Sequence, residues 1–341
     1  MRDLDLRKWM TIIQRVIAPP SIAQTPSEVV YRENKLRLLH YVPATPRPFP
    51  IPVLIVSSLI NKYYILDLRP GRSYVEYLVK RGFRVYMIDW GIPDARDRTL
   101  TLDDHINGYL TRCVQSVLRH ARASTLTLIG YCMGGTMALI YAALHRRPVR
   151  NLVLLATPVD FHNQSLLSLW SRPQYFNVDR LVDVYGNVPA EILYGAFMML
   201  KPMRNITKYV DLLARLDDEE FINTFQAFNY WIRDTVPVPG ETFRQFVTET
   251  YHHNRLVNSR MVLGGERVRL EKVICSVLNV VAERDEIVPP ASSIALMELI
   301  NSRDKELLTV PGGHHSLSIG RSAMRVVWPI SAEWLKRRSQ T

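Results

Sequence analysis

The run Gly130-Tyr131-Cys132-Met133-Gly134-Gly135 limits the fold of this chain more than any other stretch. It follows Thr125-Leu126-Thr127-Leu128-Ile129, which is rich in strand formers, and it opens Met133 to His145, an apolar stretch without proline. Where a strand turns directly into a helix, backbone crowds the turn from both sides, so the residues two before and two after the turning residue must be minimal. Gly130 and Gly134 meet that need, and Cys132 is the residue thrust out. Such placement makes Cys132 a candidate covalent nucleophile. A plainer reading remains open at this level: a small buried cysteine beside a glycine turn, since free cysteine packs as a minor hydrophobe.

Apolar runs recur at Pro52 to Val56, Phe83 to Ile88, Leu126 to Ile129, Leu152 to Leu155, Val277 to Val281 and Leu307 to Val310, alternating with helix-like segments. Alternation of this kind predicts an α/β fold, a mostly parallel central sheet flanked by helices on both faces. Between Pro158 and about Asn258 the pattern turns helix-like and aromatic, with Trp170, Phe197, Phe221, Phe225, Phe228 and Trp231 among its rings. This reads as a mainly helical cap inserted after the sixth core strand, where it leaves the sheet intact. The expected organisation is an N-terminal amphipathic segment 1–21, core 22–157, cap 158–258 and core 259–341. Met261 to Leu263, Gly264-Gly265 and Arg267 to Arg269 read as a hairpin, and a last helix from Ala323 to Lys336 should kink or split at Pro329.

At 341 residues, 47% hydrophobic and 22% charged, the chain can bury a full core and has no repeat or low-complexity tract. Three cysteines, Cys113, Cys132 and Cys275, are too few and too scattered for a disulfide framework or a zinc site, which fits a reducing compartment. Asp3, Asp5, Arg7 and Lys8 interrupt any signal-peptide core, and no apolar stretch approaches the roughly 20 residues that span a bilayer, so the expectation is a cytosolic chain that is not transmembrane. Leu6, Trp9, Met10, Ile13, Val16 and Ile17 share one helical face before Pro19-Pro20. The net charge of +11 is dispersed and no nucleic-acid module is present, which favours anionic small substrates or an acidic partner over nucleic acid.

With Cys132 at the top of one strand, an α/β-hydrolase fold calls for an acid after a later strand and a histidine after the last, in the chain order nucleophile, acid, histidine. Asp285 follows Val277-Leu278-Asn279-Val280-Val281, and His314 lies in Pro311-Gly312-Gly313-His314-His315. His314 would draw the thiol proton, Cys132 would attack as thiolate, and Asp285 would hold the imidazole. The amides of Met133 and of a residue near Ile60 are the candidate oxyanion hole. Asp89 ends a strand and is the rival acid, although it precedes the nucleophile; His315 and His252-His253 read as structural, and Asp103-Asp104 and Asp217-Asp218-Glu219-Glu220 as helix-start or surface charge. A cysteine attacking a thioester exchanges one thioester for another at nearly even free energy. That suits acyl transfer, whereas a serine oxyester is a lower-energy stop.

The residues Leu59-Ile60-Asn61-Lys62-Tyr63-Tyr64-Ile65-Leu66-Asp67-Leu68, Ile88-Asp89-Trp90-Gly91, Thr157-Pro158-Val159-Asp160-Phe161, Tyr185-Gly186-Asn187-Val188-Pro189 and Gly240-Glu241-Thr242-Phe243-Arg244-Gln245-Phe246, with the Cys132 turn, span about Thr25 to Arg337. In these the chain resembles the catalytic subunit of the short, two-subunit polyhydroxyalkanoate synthases. The resemblance assigns the acylated thiol to Cys132, the base to His314 and the acid to Asp285. It implies transfer of (R)-3-hydroxyacyl groups, short-chain 3-hydroxybutyryl foremost, from coenzyme A to a growing polyester. Coenzyme A thioester is then substrate, with no cofactor and no metal. It further implies a second synthase subunit, homo- or hetero-oligomers and a place at the polymer granule surface. The family usually has histidine after the acid; Glu286 stands here. Whether Asp285 only orients His314 or also takes a proton from the acyl hydroxyl stays open, and Asp285→Asn is expected to slow elongation more than first acylation. The rival readings are a dienelactone-hydrolase-like or thioesterase cysteine hydrolase and a non-enzymatic granule scaffold.

Overall fold

The computed structural model describes residues 19–340. The N-terminal stripe from Leu6 to Ile17 lies outside the described residues. Eight strands form one sheet: β1 (Ser27–Glu33), β2 (Leu36–Tyr41), β3 (Val53–Val56), β4 (Val85–Asp89), β5 (Leu126–Tyr131), β6 (Val149–Leu155), β7 (Ser276–Ala282) and β8 (Lys305–Val310). Their spatial order is β1-β2-β4-β3-β5-β6-β7-β8. From β4 to β8 all pairs are parallel, while β2 runs antiparallel to both β1 and β4. The six apolar runs are the six parallel strands, extended by one to three residues at several ends. Sequence reasoning missed the β1–β2 hairpin, because β1 at the sheet edge carries charges at Glu28, Arg32 and Glu33 and buries none of its residues fully.

Central strands are buried on both faces, as parallel strands between helix layers must be; every residue of β3 and β5 is buried. Helix α1 (Tyr74–Lys80) packs with the C-terminal α10 named below, and α2 (Thr111–Ala121) and α3 (Met133–Leu144) lie on the sheet. Helix α3 is apolar all round and buried from Met133 to Ala143, which marks it as the central helix rather than a surface one.

Between β6 and β7 the chain runs through α4 (Leu166–Trp170), α5 (Val178–Tyr185), α6 (Ala190–Leu200), α7 (Pro202–Ala214), α8 (Glu219–Arg233) and α9 (Gly240–Val247). Asn177 and Asp218 cap α5 and α8 with side-chain oxygens on the Arg180 and Phe221 amides. The expected hairpin pairs Val262–Leu263 with Glu266–Arg267. The last helical stretch runs without a break over 321–338 rather than splitting at Pro329: it is wound as a π-helix over Ala323–Val327 immediately before α10 (Trp328–Arg338), whose second residue is Pro329.

A Cβ added to Gly130 would lie 2.4 Å from the Gly135 Cα, backbone that cannot move aside. At Gly195, inside α6, a Cβ would meet nothing within 4 Å. Gly130→Ala should therefore lower stability by about 2 kcal/mol or more, and Gly195→Ala should raise it by roughly 0.5–1 kcal/mol, as read from denaturant midpoints.

Candidate active site

The Cys132 turn is strained as the glycine spacing requires. Cys132 has φ 54° and ψ −128°, a left-hand conformation that non-glycine residues rarely adopt. The strain is held by packing: a Cβ on Gly134 would stand 2.3 Å from the Val56 carbonyl oxygen, and one on Gly135 would stand 1.9 Å from Thr157 Oγ1. Helix α3 is thereby pressed against the ends of β3 and β6. Gly135 is the third glycine the spacing argument did not demand, and its signal was the Gly134-Gly135 doublet itself. The Cys132 amide donates to Leu155 O at 2.9 Å, so the turn is also pinned to β6.

Asp285 lies in the loop after β7 and His314 in the loop after β8, and the two meet: His314 Nδ1 and Asp285 Oδ2 are 2.8 Å apart. Both are almost fully buried. The other carboxylate oxygen, Oδ1, accepts the amides of Ile287 at 3.0 Å and Val288 at 2.9 Å, which fixes the plane of the group. Cys132 lines the same cavity as His314 and is close enough to bear on the charge of the imidazole. Burial works against its charged form, but the Asp285 carboxylate and Cys132 favour it, and the balance raises its pKa from 6.5 to about 10. The three residues expected from the chain order thus converge. Such a set can move a thiol proton onto an imidazole that a carboxylate holds in one tautomer.

The other sequence candidates fall elsewhere. Asp89 is engaged by the Arg37 guanidinium and accepts the Gly91 amide at 3.0 Å, while His314 bonds Asp285. His315 does share the cavity wall, its ring 5.1 Å from that of Phe228 and 5.3 Å from that of Trp231, with Nδ1 at 3.0 Å from the Tyr131 hydroxyl. Asp104 accepts the Thr101 amide, a helix-start role. Burial pushes the Cys113 thiol well up and that of partly buried Cys275 to about 12, which leaves both unreactive at neutral pH.

Met133 is the first residue of α3, so its amide has no carbonyl one turn earlier within the helix to accept it. Ile60 lines the same cavity, but its amide donates to Ser58 Oγ at 3.2 Å. Cys132 and His314 open into a cavity of about 460 Å³ roofed by Tyr194, Phe197, Phe221, Phe225, Phe228 and Trp231 from α6 and α8. The roof is tied down at one side by Trp231 Nε1 on Lys62 O at 2.8 Å, the Tyr64 hydroxyl on Asp234 at 2.6 Å and the Val236 amide on Ile60 O at 3.1 Å. At the other side Lys201 pairs with Glu286 at 2.8 Å. Glu286, where the resemblance leads one to expect histidine, therefore links the roof to the loop that carries Asp285.

Residues 52–320 match the family model described as alpha/beta hydrolase fold, and residues 9–78 match that of the poly-beta-hydroxybutyrate polymerase (PhaC) N-terminus. The poly(3-hydroxyalkanoate) polymerase subunit PhaC of Haloferax mediterranei is 39% identical over 99% of this chain and 72% of its own length. The subunit of the same name from Allochromatium vinosum is 42% identical over 92% of this chain and 89% of its own. The chain belongs to the PhaC family. Among solved structures, the monoacylglycerol lipase of Paleococcus ferrophilus superposes with a TM-score of 0.56 at 16% identity, covering 90% of this chain and all (100%) of that one. An alpha/beta hydrolase fold protein from Nakamurella multipartita gives 0.53, also at 16% identity, over 93% of this chain and 100% of its own. At that identity the likeness is one of fold. Among the described residues no helix is long and apolar enough to cross a membrane.

Two outcomes test the geometry. Iodoacetamide should label Cys132 in the native protein and leave Cys113 and Cys275 unlabelled, as peptide mass mapping would read; labelling of all three at similar rates would contradict the burial. Because the folded pKa of His314 lies above 6.5, its charge stabilises the fold fully below about pH 6.5, and that contribution is lost as pH rises through about 10. Asp285→Asn removes the carboxylate, so the His314 titration followed by NMR should move down and the loss of stability should begin at lower pH.

Proposed function

We propose that the chain is the catalytic subunit of a polyhydroxyalkanoate synthase that polymerises (R)-3-hydroxyacyl coenzyme A, with short-chain 3-hydroxybutyryl as substrate. The observation that carries this reading is the Cys132–His314–Asp285 convergence beneath an apolar roof, in a chain whose relatives are named polymerases. The proton shared by the Cys132–His314 pair rests on His314, and the Cys132 thiolate attacks the thioester carbonyl. The carbon–sulfur bond to coenzyme A breaks, and the departing thiolate takes the proton from His314. The acyl group is left on Cys132 as a thioester, and no cofactor enters.

In the second half His314 takes the proton of a 3-hydroxyl, whose oxygen attacks an acyl thioester, forming the ester and freeing a thiol. The Met133 amide is the first oxyanion donor. The Ile60 amide is the second, exchanging Ser58 Oγ for the developing oxyanion. The aromatic roof excludes water, which would otherwise release the acyl group as free acid. With both oxygens of Asp285 already committed to His314 and two amides, its role is to orient the imidazole. This differs from the stronger elongation defect expected from the resemblance alone. A second synthase subunit, an oligomeric assembly and the granule surface are part of the same reading.

Incubating the chain with 3-hydroxybutyryl coenzyme A, with and without its partner subunit, should give polymer and free coenzyme A. Free 3-hydroxy acid without polymer would make it a hydrolase instead. Cys132→Ala should abolish both products, while Cys113→Ala should keep both. Asp285→Asn should slow single-turnover acylation and elongation by similar factors, about 10²-fold or more; a loss confined to elongation would give Asp285 a direct part in activating the hydroxyl.

A further inference from the structure

The sheet carries a second cluster of titratable groups at the end opposite Cys132. Cys132 follows the C-terminal end of β5, whereas His40 pairs in register with Tyr86 near the N-terminal start of β4. In the same row His40 faces Glu28 across the β1–β2 hairpin. Register therefore places Glu28, His40 and Tyr86 side by side on adjacent strands. His120, in the last turn of α2, packs onto that row with its ring 4.8 Å from the ring of His40.

One donor atom each from Glu28, His40 and His120 lie within 4.8 Å of one another, and among the described residues this is the group of three so arranged. His40 is only 8% exposed, and its Nδ1 stands 3.0 Å from Glu28 Oε1. Its Nε2 is buried with no hydrogen-bond partner. Glu28 stands on the Nδ1 side of the ring, so a cation shared with Glu28 would take the place of that contact, and the unpaired Nε2 on the far side is a separate cost of burial. The Tyr86 hydroxyl lies 2.7 Å from His120 Nδ1 and holds that ring from behind, leaving Nε2 as its other donor atom; a hydrogen bond on the far nitrogen is the usual support of a metal-binding histidine. His40 and His120 border a surface cavity with Pro43 and Thr45, which provides an entry path. Arg84, which lines the same cavity, is turned to the Ala121 carbonyl at 2.7 Å.

We propose that Glu28, His40 and His120 form a binding site for a divalent transition-metal cation of zinc type, with an open position toward the cavity. Two imidazoles and a carboxylate are donors that suit zinc. The metal would join β1, β2 and α2, clamping the antiparallel edge of the sheet, and it takes no part in the chemistry at Cys132.

The test uses the full chain carrying Cys132→Ala, so that the thiol does not compete for metal. After chelator treatment it is dialysed against zinc chloride and assayed by elemental analysis, with the melting temperature recorded in parallel. The expected result is one zinc per chain and a melting temperature that rises with zinc. His120→Asn and Glu28→Gln, both at exposed positions and checked for native circular dichroism, should weaken binding at least about tenfold and flatten the zinc dependence. No stoichiometric uptake by the Cys132→Ala chain, or undiminished uptake by both variants, would overturn the site.

Discussion

The close approach of backbone to backbone around Cys132 is the constraint on which the site depends. Gly130 lies against Gly135, Gly134 against the carbonyls ending β3, and Gly135 against Thr157 at the end of β6. With three contacts of that kind the chain has no room to relax Cys132 out of its left-hand conformation. Strain at one residue, of order 1–3 kcal/mol, is balanced by the burial of α3 and of the strands it covers. The same turn that lifts the thiol from the sheet also aims the start of α3 at it, and the partial positive charge there favours a thiolate and an oxyanion alike.

Electrostatics complete what sterics begin. His314 is buried deeply enough that it would stay neutral on its own, yet it sits between a carboxylate and a thiol, and their pull outweighs desolvation. The Asp285 carboxylate can do this because two amides of its own loop hold its second oxygen. The imidazole is therefore prepared to carry charge before any substrate arrives, and the reorganisation that a flexible pair would need is avoided.

Much of this was legible in the residues. Parallel strands buried on both faces read as continuous apolar runs, and a nucleophile turn forces glycine at fixed positions, so the six parallel strands, Cys132, Asp285 and His314 could be placed by pattern and order. The β1–β2 hairpin was not legible, since an edge strand with Glu28, Arg32 and Glu33 lacks the apolar signal of its neighbours. Nor was the state of the Ile60 amide, because a hydrogen bond to Ser58 Oγ depends on local loop geometry rather than on residue type. The Lys201–Glu286 pair joins residues far apart in sequence, and a residue type alone does not reveal which partner it meets.

Polymerisation makes demands on the roof that hydrolysis does not. Water must stay away from the acyl thioester, yet the product must lengthen beyond a cavity of about 460 Å³. The ties on the roof differ in kind. The side near β3 is held by Trp231, Asp234 and Val236 bonding to residues 60–64, through one backbone pair, one side chain on a carbonyl and one partly buried side-chain pair. The opposite side is held by a solvent-accessible ion pair between Lys201 and Glu286, a kind of contact that contributes little to stability and weakens with salt. The ion-paired side lies beside the loop of Asp285, where Glu286 follows the acid. On the other side Trp231 and Phe228 pack on the ring of His315, which adjoins His314 in sequence.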